Sequence, residues 1–335
     1  MMTKNLGFLS FGHYQPRRGF SAADSLTQQI EITVGAEDLG YDGAWMRVHH
    51  YQHQFSSPWA LLGAMAARTR RIELGTAVID MRYENPLLMA ELSATADLIS
   101  GGRLQLGLSR GSQEPAQRGW ESFGAAEGSD PAEMARDRTA RFRAAVAGAP
   151  MAVSDPVEAG IRRPLAIQPQ SEGLSRRIWW GSATRQSAQW AGEQGMHLLS
   201  STLLSEDTGV PFWELQAEQI RIFRDAWRRA GHPGTPRVAV VRNILPIVDH
   251  RDRALFGPAA LESKEQVGVL GGAISRFGKS YIGEPDVIIH DIQQDQAVQA
   301  ADTLLVTIPN TLGVDDNLRI LENVASYVAP AIRTV

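Results

Sequence analysis

The chain has 335 residues, 43% of them hydrophobic and 21% charged, which suits one barrel-sized domain or two ordinary domains. A formal charge of −4 with both signs interspersed excludes a broad nucleic-acid surface or a polybasic membrane patch. The absence of cysteine removes disulfides, thiolate metal sites and cysteine nucleophiles, and it fits a cytoplasmic protein.

The first apolar run, Leu6–Phe11, is too short for a signal peptide, and no window approaches the roughly 18 apolar residues of a membrane span. It reads as a strand. A helix follows in which Leu26, Ile30 and Val34 repeat every four residues, ending at Gly40. Gly43–Val48 is the second extended run. The stretch "SSPWALLGAMAARTRR" predicts a helix capped by Ser57 with Pro58 at its first position.

Ile72–Ile79 is the third strand, and a helix opens at Pro86. Arg103–Gly111 is the fourth strand, followed by a polar, Gly-rich loop, residues 112–130, and a helix from Pro131. The stretch 149–175, with prolines at 150, 156, 164 and 169, reads as an irregular insertion. Arg177–Ser182 is strand five, leading into "TRQSAQWAGEQ", a helix ended by Gly195. Strand six is "MHLLSS", and a helix runs from Pro211 to Ala230. Strand seven is "RVAVVRNILPIV". Strand eight is Thr303–Pro309, and the last helix carries Leu318, Leu321 and Val324.

Eight strands with apolar runs, each followed by a helical pattern, predict a single (β/α)8 barrel spanning residues 1–335. The rival, a doubly wound open sheet, lacks a G-x-G-x-x-G after strand one, and the chain has no P-loop. In a barrel, chemistry gathers just after the C-terminal ends of the strands. Those ends carry His13, His49 and His50, Thr76–Val78, Ser109–Gly111, Ser182–Thr184 and Ser200–Thr202. Any one of these could simply cap a loop; together they outline a site. Residues 112–130 and 255–281 are expected to be active-site loops.

The adjacent pair His49–His50, with His53 nearby, raises a metal site. Successive strand residues point to opposite faces, and carboxylates are sparse at the tips, with Asp80 and Glu84 near strand three, so no metal is expected. Arg110 at a strand tip is a permanent donor fork for an anion, or one half of a structural ion pair. In "GSATRQSAQW" small residues lead straight into a helix whose first amides could hold an anion, with Ser187 one turn in. A plain helix cap at Ser182 or Thr184 is compatible with the same text.

In the motifs "AEDLGYDGAWMRVHHY", "TRRIELGTAV" through "LISGGRLQLGLSRG", and "RIWWGSATRQSAQWAGEQG", the chain resembles the bacterial luciferase-like flavin monooxygenases across nearly its whole length. The resemblance implies a luciferase-like barrel that binds FMN, reduced by a separate NAD(P)H-dependent flavin reductase. It implies reaction with O2 through a C4a-hydroperoxide, oxygenating a small organic substrate in a closed apolar pocket.

By the same resemblance His49 and His50 are catalytic, one of them beside the flavin, with His50 favoured by a small margin. Thr76, Ala77 and Val78 would underlie the isoalloxazine, with a cis peptide between Ala77 and Val78. Ser109, Arg110, Ala183, Thr184 and Ser187 would bind the cofactor, most of them at its phosphate.

Two departures stand out. Val48 occupies a position that is often acidic in relatives, and Ser109 replaces the cysteine of true luciferases, which argues against light emission. Arg47 changes the charge at the site mouth. Two alternatives stay open, an F420-dependent hydride-transfer oxidoreductase and a non-catalytic flavin-binding accessory subunit. A homodimer is expected through the small-residue face Ala60, Gly63, Ala64 and Ala67, which could otherwise pack on the barrel.

Overall fold

The computed structural model describes residues 4–111, 114–261, 263–270 and 273–333. Eight parallel strands close into a barrel in chain order: β1 (Asn5–Ser10), β2 (Gly43–Met46), β3 (Glu73–Asp80), β4 (Leu104–Ser109), β5 (Ile178–Ser182), β6 (His197–Ser200), β7 (Val238–Arg242) and β8 (Thr303–Ile308). The ring is sealed where β8 pairs with β1, Asn5 opposite Thr303 through Ser10 opposite Ile308. All eight expected strands are therefore present, and helices surround them.

The barrel has two apolar layers because its strands are buried on both faces. Outward residues such as Phe8, Met46, Leu74, Leu106, Leu198, Val240 and Leu304 join the main core beneath the helices. Inward residues Leu9, Trp45, Trp179, Leu199, Ala239, Val241 and Leu305 fill the interior. Trp45 and Trp179 meet edge to face at 5.3 Å and form the floor under the C-terminal mouth. Gly75 makes room for them, since a Cβ there would lie 2.3 Å from the Trp45 ring. Gly107 is dictated by its neighbour strand in the same way, a Cβ falling 2.0 Å from the Thr76 carbonyl oxygen.

The helices that position the site are α1 (Ala22–Asp38), α2 (Trp59–Arg68), α3 (Pro86–Ser100), α4 (Pro131–Val146), α5 (Arg185–Glu193) and α6 (Phe212–Arg229). Several sequence expectations need correction. The buried face of α1 is not the Leu26–Ile30–Val34 stripe but Ser25, Gln28, Gln29, Ile32, Thr33 and Ala36; Leu26 is exposed. Ser25 and Gln28 sit inward where the barrel rim offers them acceptors, Ser25 donating to the Gly12 carbonyl at 3.0 Å and Gln28 to the Asn310 carbonyl at 2.7 Å. The cap expected at Ser57 is absent: Pro58 itself precedes α2, with no side-chain capping bond.

Strand seven is shorter than predicted. The chain leaves the barrel at Asn243, and Ile244–Pro246 pairs instead with Tyr281–Gly283. The insertion at 149–175 is more ordered than its prolines suggest. Pro150–Val153 and Pro164–Ala166 form an antiparallel pair around a one-turn helix, Pro156–Ala159.

Within 255–281, the chain finishes a helix (His250–Leu261) and then forms a hairpin, Gln266–Leu270 with Ala273–Phe277, which pairs with Leu203–Leu204. Glu262, Gly271 and Gly272 of that segment lie outside the described residues, as do Ser112 and Gln113 of the 112–130 loop. The small-residue face of α2 is partly covered, with Gly63 and Ala64 half-buried. Leu61, Leu62, Met65 and Ala66 turn inward, while Ala60 and Ala67 are exposed. Among the described residues no helix is long and apolar enough to cross a membrane.

Candidate active site

A cavity of about 340 Å³ opens at the C-terminal mouth of the barrel. Its walls are mostly apolar, with Leu9, Phe11, Val78, Leu199, Val241 and Phe277 prominent, and its polar groups come from the ends of β2 to β6. A few placed polar groups in an apolar hollow are the usual form of a small-molecule site.

The path of the chain beyond β2 decides which histidine faces the cavity. The strand ends at Met46, and the three residues Arg47, Val48 and His49 that follow all reach the cavity wall before the chain turns away at His50. His49 lines the cavity, and His50 does not. His50 is instead sandwiched away from it, stacked on Tyr83 at 4.1 Å and edge-on to Phe123 at 5.1 Å. The small preference for His50 as the inward histidine is thus corrected. The run was ambiguous because all four residues of β2 are buried, so neither face announced itself.

His49 has an acidic partner that the sequence did not reveal. Its Nδ1 lies 2.6 Å from Oε1 of Glu114, which arrives from the loop after β4. A carboxylate only accepts, so Nδ1 donates to it, and Nε2 is the nitrogen left for other partners. Gln52 donates to the other Glu114 oxygen at 2.9 Å, and the His50 backbone amide donates to Oε1 at 3.3 Å. Burial pushes the Glu114 carboxyl up, but these hydrogen bonds together outweigh it and hold the group below the ordinary carboxylate value. Burial also holds the His50 imidazole below the usual histidine value, against the opposing charges of Glu114 and Asp80.

At β3 the pairing with β4 slips between Thr76 and Ile79, and the peptide bond between Ala77 and Val78 is cis. The slip brings two consecutive residues, Ala77 and Val78, to the cavity wall. Thr76 does not reach it. Its hydroxyl donates to the Gly107 carbonyl and accepts from the Gly107 amide, both at 3.0 Å, closing the gap in the ladder. Asp80 reaches the cavity edge with its carboxylate held by Arg82.

Ser109 lines the cavity and accepts from the Gly111 amide at 3.1 Å. Arg110 is exposed and absent from the wall; the Asp130 carboxylate feels its charge. Ser182 and Ala183 line the cavity ahead of α5, whereas Thr184 and Ser187 stand behind them. Thr184 caps the helix, its hydroxyl accepting from the Ser187 amide at 3.1 Å, and Ser187 accepts from Trp180 Nε1 at 3.0 Å. The helix terminus is also less open than its sequence implied, because the Glu206 carboxylate accepts the Arg185 amide at 3.0 Å.

Ser200 is buried beneath the mouth, where it accepts from Gln216, while Ser201 and Thr202 reach the wall. His13 is exposed, stacked on Phe11, and lines an adjoining hollow. His53 stacks on Tyr14, and among the described residues no three histidine or acidic side chains gather as a metal set.

The wall fits a planar apolar-faced cofactor with an anionic tail. Ala77 and Val78 offer an apolar side, and Ser109, Ser182 and the backbone of Ala183 supply polar groups beside it. Glu114 and Phe277, both inside loops of irregular sequence, are the contributors that sequence reasoning missed. A lone acid in a Gly-rich loop gives no signal of its own.

The sequence profile of a family described as Luciferase-like monooxygenase matches residues 5–257. Over 90 residues the chain is 36% identical to the 4-hydroxyprotoasukamycin monooxygenase of Streptomyces nodosus subsp. asukaensis, covering 26% of this chain and 24% of that protein. Over 88 residues it is 38% identical to an F420-dependent glucose-6-phosphate dehydrogenase of Amycolatopsis mediterranei, covering 24% of this chain and 26% of that protein. The match thus spans about a quarter of the length of these curated relatives. Among solved structures, the oxygenating constituent of 3,6-diketocamphane monooxygenase from Pseudomonas putida, in complex with FMN, has a TM-score of 0.72 over 98% of each chain at 17% identity, a likeness of fold.

Proposed function

The chain belongs to the luciferase-like monooxygenase family, and from that premise we propose that it is a flavin-dependent monooxygenase that oxygenates a small organic substrate with reduced FMN and O2. The observation that carries this reading is the His49–Glu114 pair at the mouth of an apolar cavity walled by Ala77 and Val78. A degenerate, purely binding subunit has no need of a buried imidazole held in one tautomer by a carboxylate.

Ala77 and Val78 would flank the ring, and Ser109, Ser182 and Ala183 would lie toward its tail, with Arg110 outside the wall. Thr184 and Ser187 contribute by holding the first turn of α5 in place. Bound reduced FMN supplies the electrons that activate O2. His49 accepts or returns a proton at Nε2, while Glu114 fixes the ring and steadies its charged form. Leu199, Val241 and Phe277 exclude water from the reacting atoms. In this reading the protein works in the cytoplasm, and a separate NAD(P)H-dependent reductase delivers the cofactor.

The experiment offers reduced FMN and reduced F420 to the purified chain in parallel. We expect retention of FMN and O2 consumption when a flavin reductase and NADH are present. Retention of F420 alone, with no O2 uptake, would favour the second reading, hydride transfer, which the F420-dependent relative supports. We further propose a homodimer. The outward small face of α2 and the exposed Leu88, Leu98 and Ile99 of α3 support it. A monomeric mass by light scattering would remove it.

A further inference from the structure

Arg47 follows β2 and projects into the cavity between Phe11 and His49. Its guanidinium lies 5.3 Å above the Phe11 ring. Among the described residues it makes no hydrogen bond and no ion pair through its side chain. Three other arginines drawn from bulk water are answered by protein acceptors. Arg82 is clasped by Asp80, Arg103 donates to five acceptor groups, and Arg242 is held by Asp295 and Gln216. Of the cavity's carboxylates, Asp80 is clasped by Arg82 and Glu114 is bonded to His49 and Gln52; the charge of Glu114 reaches Arg47, without a hydrogen bond or ion pair between them.

A guanidinium withdrawn from bulk water and left without acceptors needs an anion to complete it. In the barrel order, β2 is separated from β5 by two strands, so Arg47 stands across the mouth from Ser182, Ala183 and α5. In the proposed reading the cofactor's tail lies on that other wall. We infer that Arg47 is the specificity-determining residue of the cavity and that the substrate is a small organic acid, its carboxylate on Arg47 and its apolar body against Phe11, Leu199 and Phe277. Stacking on Phe11 holds the planar fork so that both of its edges stay available to a carboxylate. The inference deepens the proposed function and rests on it for naming the bound acid a substrate.

The test is calorimetric titration of the full chain, with and without saturating FMN, using phenylacetate and its neutral isostere phenylacetamide. The wild-type chain should bind the acid roughly tenfold more tightly than the amide, the usual scale of a charge-assisted pair at a partly desolvated site. Arg47→Met should abolish that preference while leaving the amide and FMN affinities within about twofold. Arg47→Lys should keep part of the preference. Equal affinities in the wild-type chain overturn the inference, and so does a preference that survives in a folded Arg47→Met variant. If that variant does not fold, Arg47→Gln takes its place under the same criteria.

A roughly tenfold loss of FMN affinity in Arg47→Met without any acid preference in the wild type would assign the guanidinium to the cofactor and overturn the inference. A chain that keeps the acid preference but binds neither reduced FMN nor reduced F420 supports the anion site and defeats the proposed function. One that retains reduced FMN without the preference does the reverse.

Discussion

Arg242 and Arg47 both stand at the C-terminal ends of barrel strands, β7 and β2, and their surroundings differ completely. Arg242 donates to both oxygens of Asp295, to Gln216 and to the Val241 carbonyl. Asp295 in turn accepts from the Tyr281 hydroxyl and from the amides of Ala297 and Val298. Every charge withdrawn from water there is answered by protein, so the cluster locks the segment after β7 onto α6. Around β2 the accounting is left incomplete. Among the described residues His49 is answered by Glu114 at Nδ1, and the Arg47 guanidinium has no hydrogen-bond acceptor. Completed polar clusters hold a fold, whereas unfinished ones beside a cavity await a ligand.

The contrast predicts opposite consequences for truncation on the two sides. Asp295→Ala leaves Arg242, Tyr281 and two amides without their acceptor, and should cost about 3–5 kcal/mol in chemical denaturation. A loss below about 1 kcal/mol would break the comparison, because the cluster would then not be structural. His49→Gln should lower kcat by about 10²–10⁴-fold while moving the denaturation midpoint little. A large stability loss with normal turnover would place His49 with the structural group.

Glu114→Gln keeps the shape of the pair and removes its charge, so kcat should fall by about tenfold. The pH dependence follows from the lowered folded pKa. The pair's contribution is complete above the ordinary value of 4.5 and disappears as pH falls through the folded value. In the variant, that acid-side loss of stability should vanish from melting curves taken between about pH 3 and 6.

Glu84 gives the smallest effect and the opposite sign. Burial, reinforced by Asp80 and opposed by Arg138, pushes its carboxyl up to about 7. Between 4.5 and 7 the unfolded chain loses this proton while the folded chain keeps it, so stability falls as pH rises through that window. Glu84→Gln should therefore stabilise the protein by on the order of 1–2 kcal/mol near pH 8, with no gain near pH 4. Equal stabilities near pH 8 would show that water reaches the group.

The candidate site was legible in outline but not in detail. Ala77, Val78, Ser109 and Ala183 reach the cavity wall as their strand-end positions implied, whereas Thr76 spends its hydroxyl on Gly107 and Arg110 stays in solvent. The difference lies in strand register and bulge position. A one-residue slip sends a side chain to the other face, and only the pairing partners fix the slip. The α1 stripe misled for a related reason, since polar residues can face a barrel rim that supplies acceptors.

What the sequence determined by itself was the period of the elements. Eight apolar runs, their helices and the glycine and proline boundaries are local properties of the chain, and the closed eight-stranded barrel follows from them. The tertiary structure decided what depends on contacts between distant segments. The course of the chain beyond β2 put His49 and not His50 on the cavity wall, and the loop after β4 carried Glu114 across 65 positions to that histidine. The same closure left Arg47 on the cavity wall with no hydrogen-bond acceptor among the described residues. Local propensity carries no information on whether a buried charge meets its partner, because the partner arrives from elsewhere in the chain.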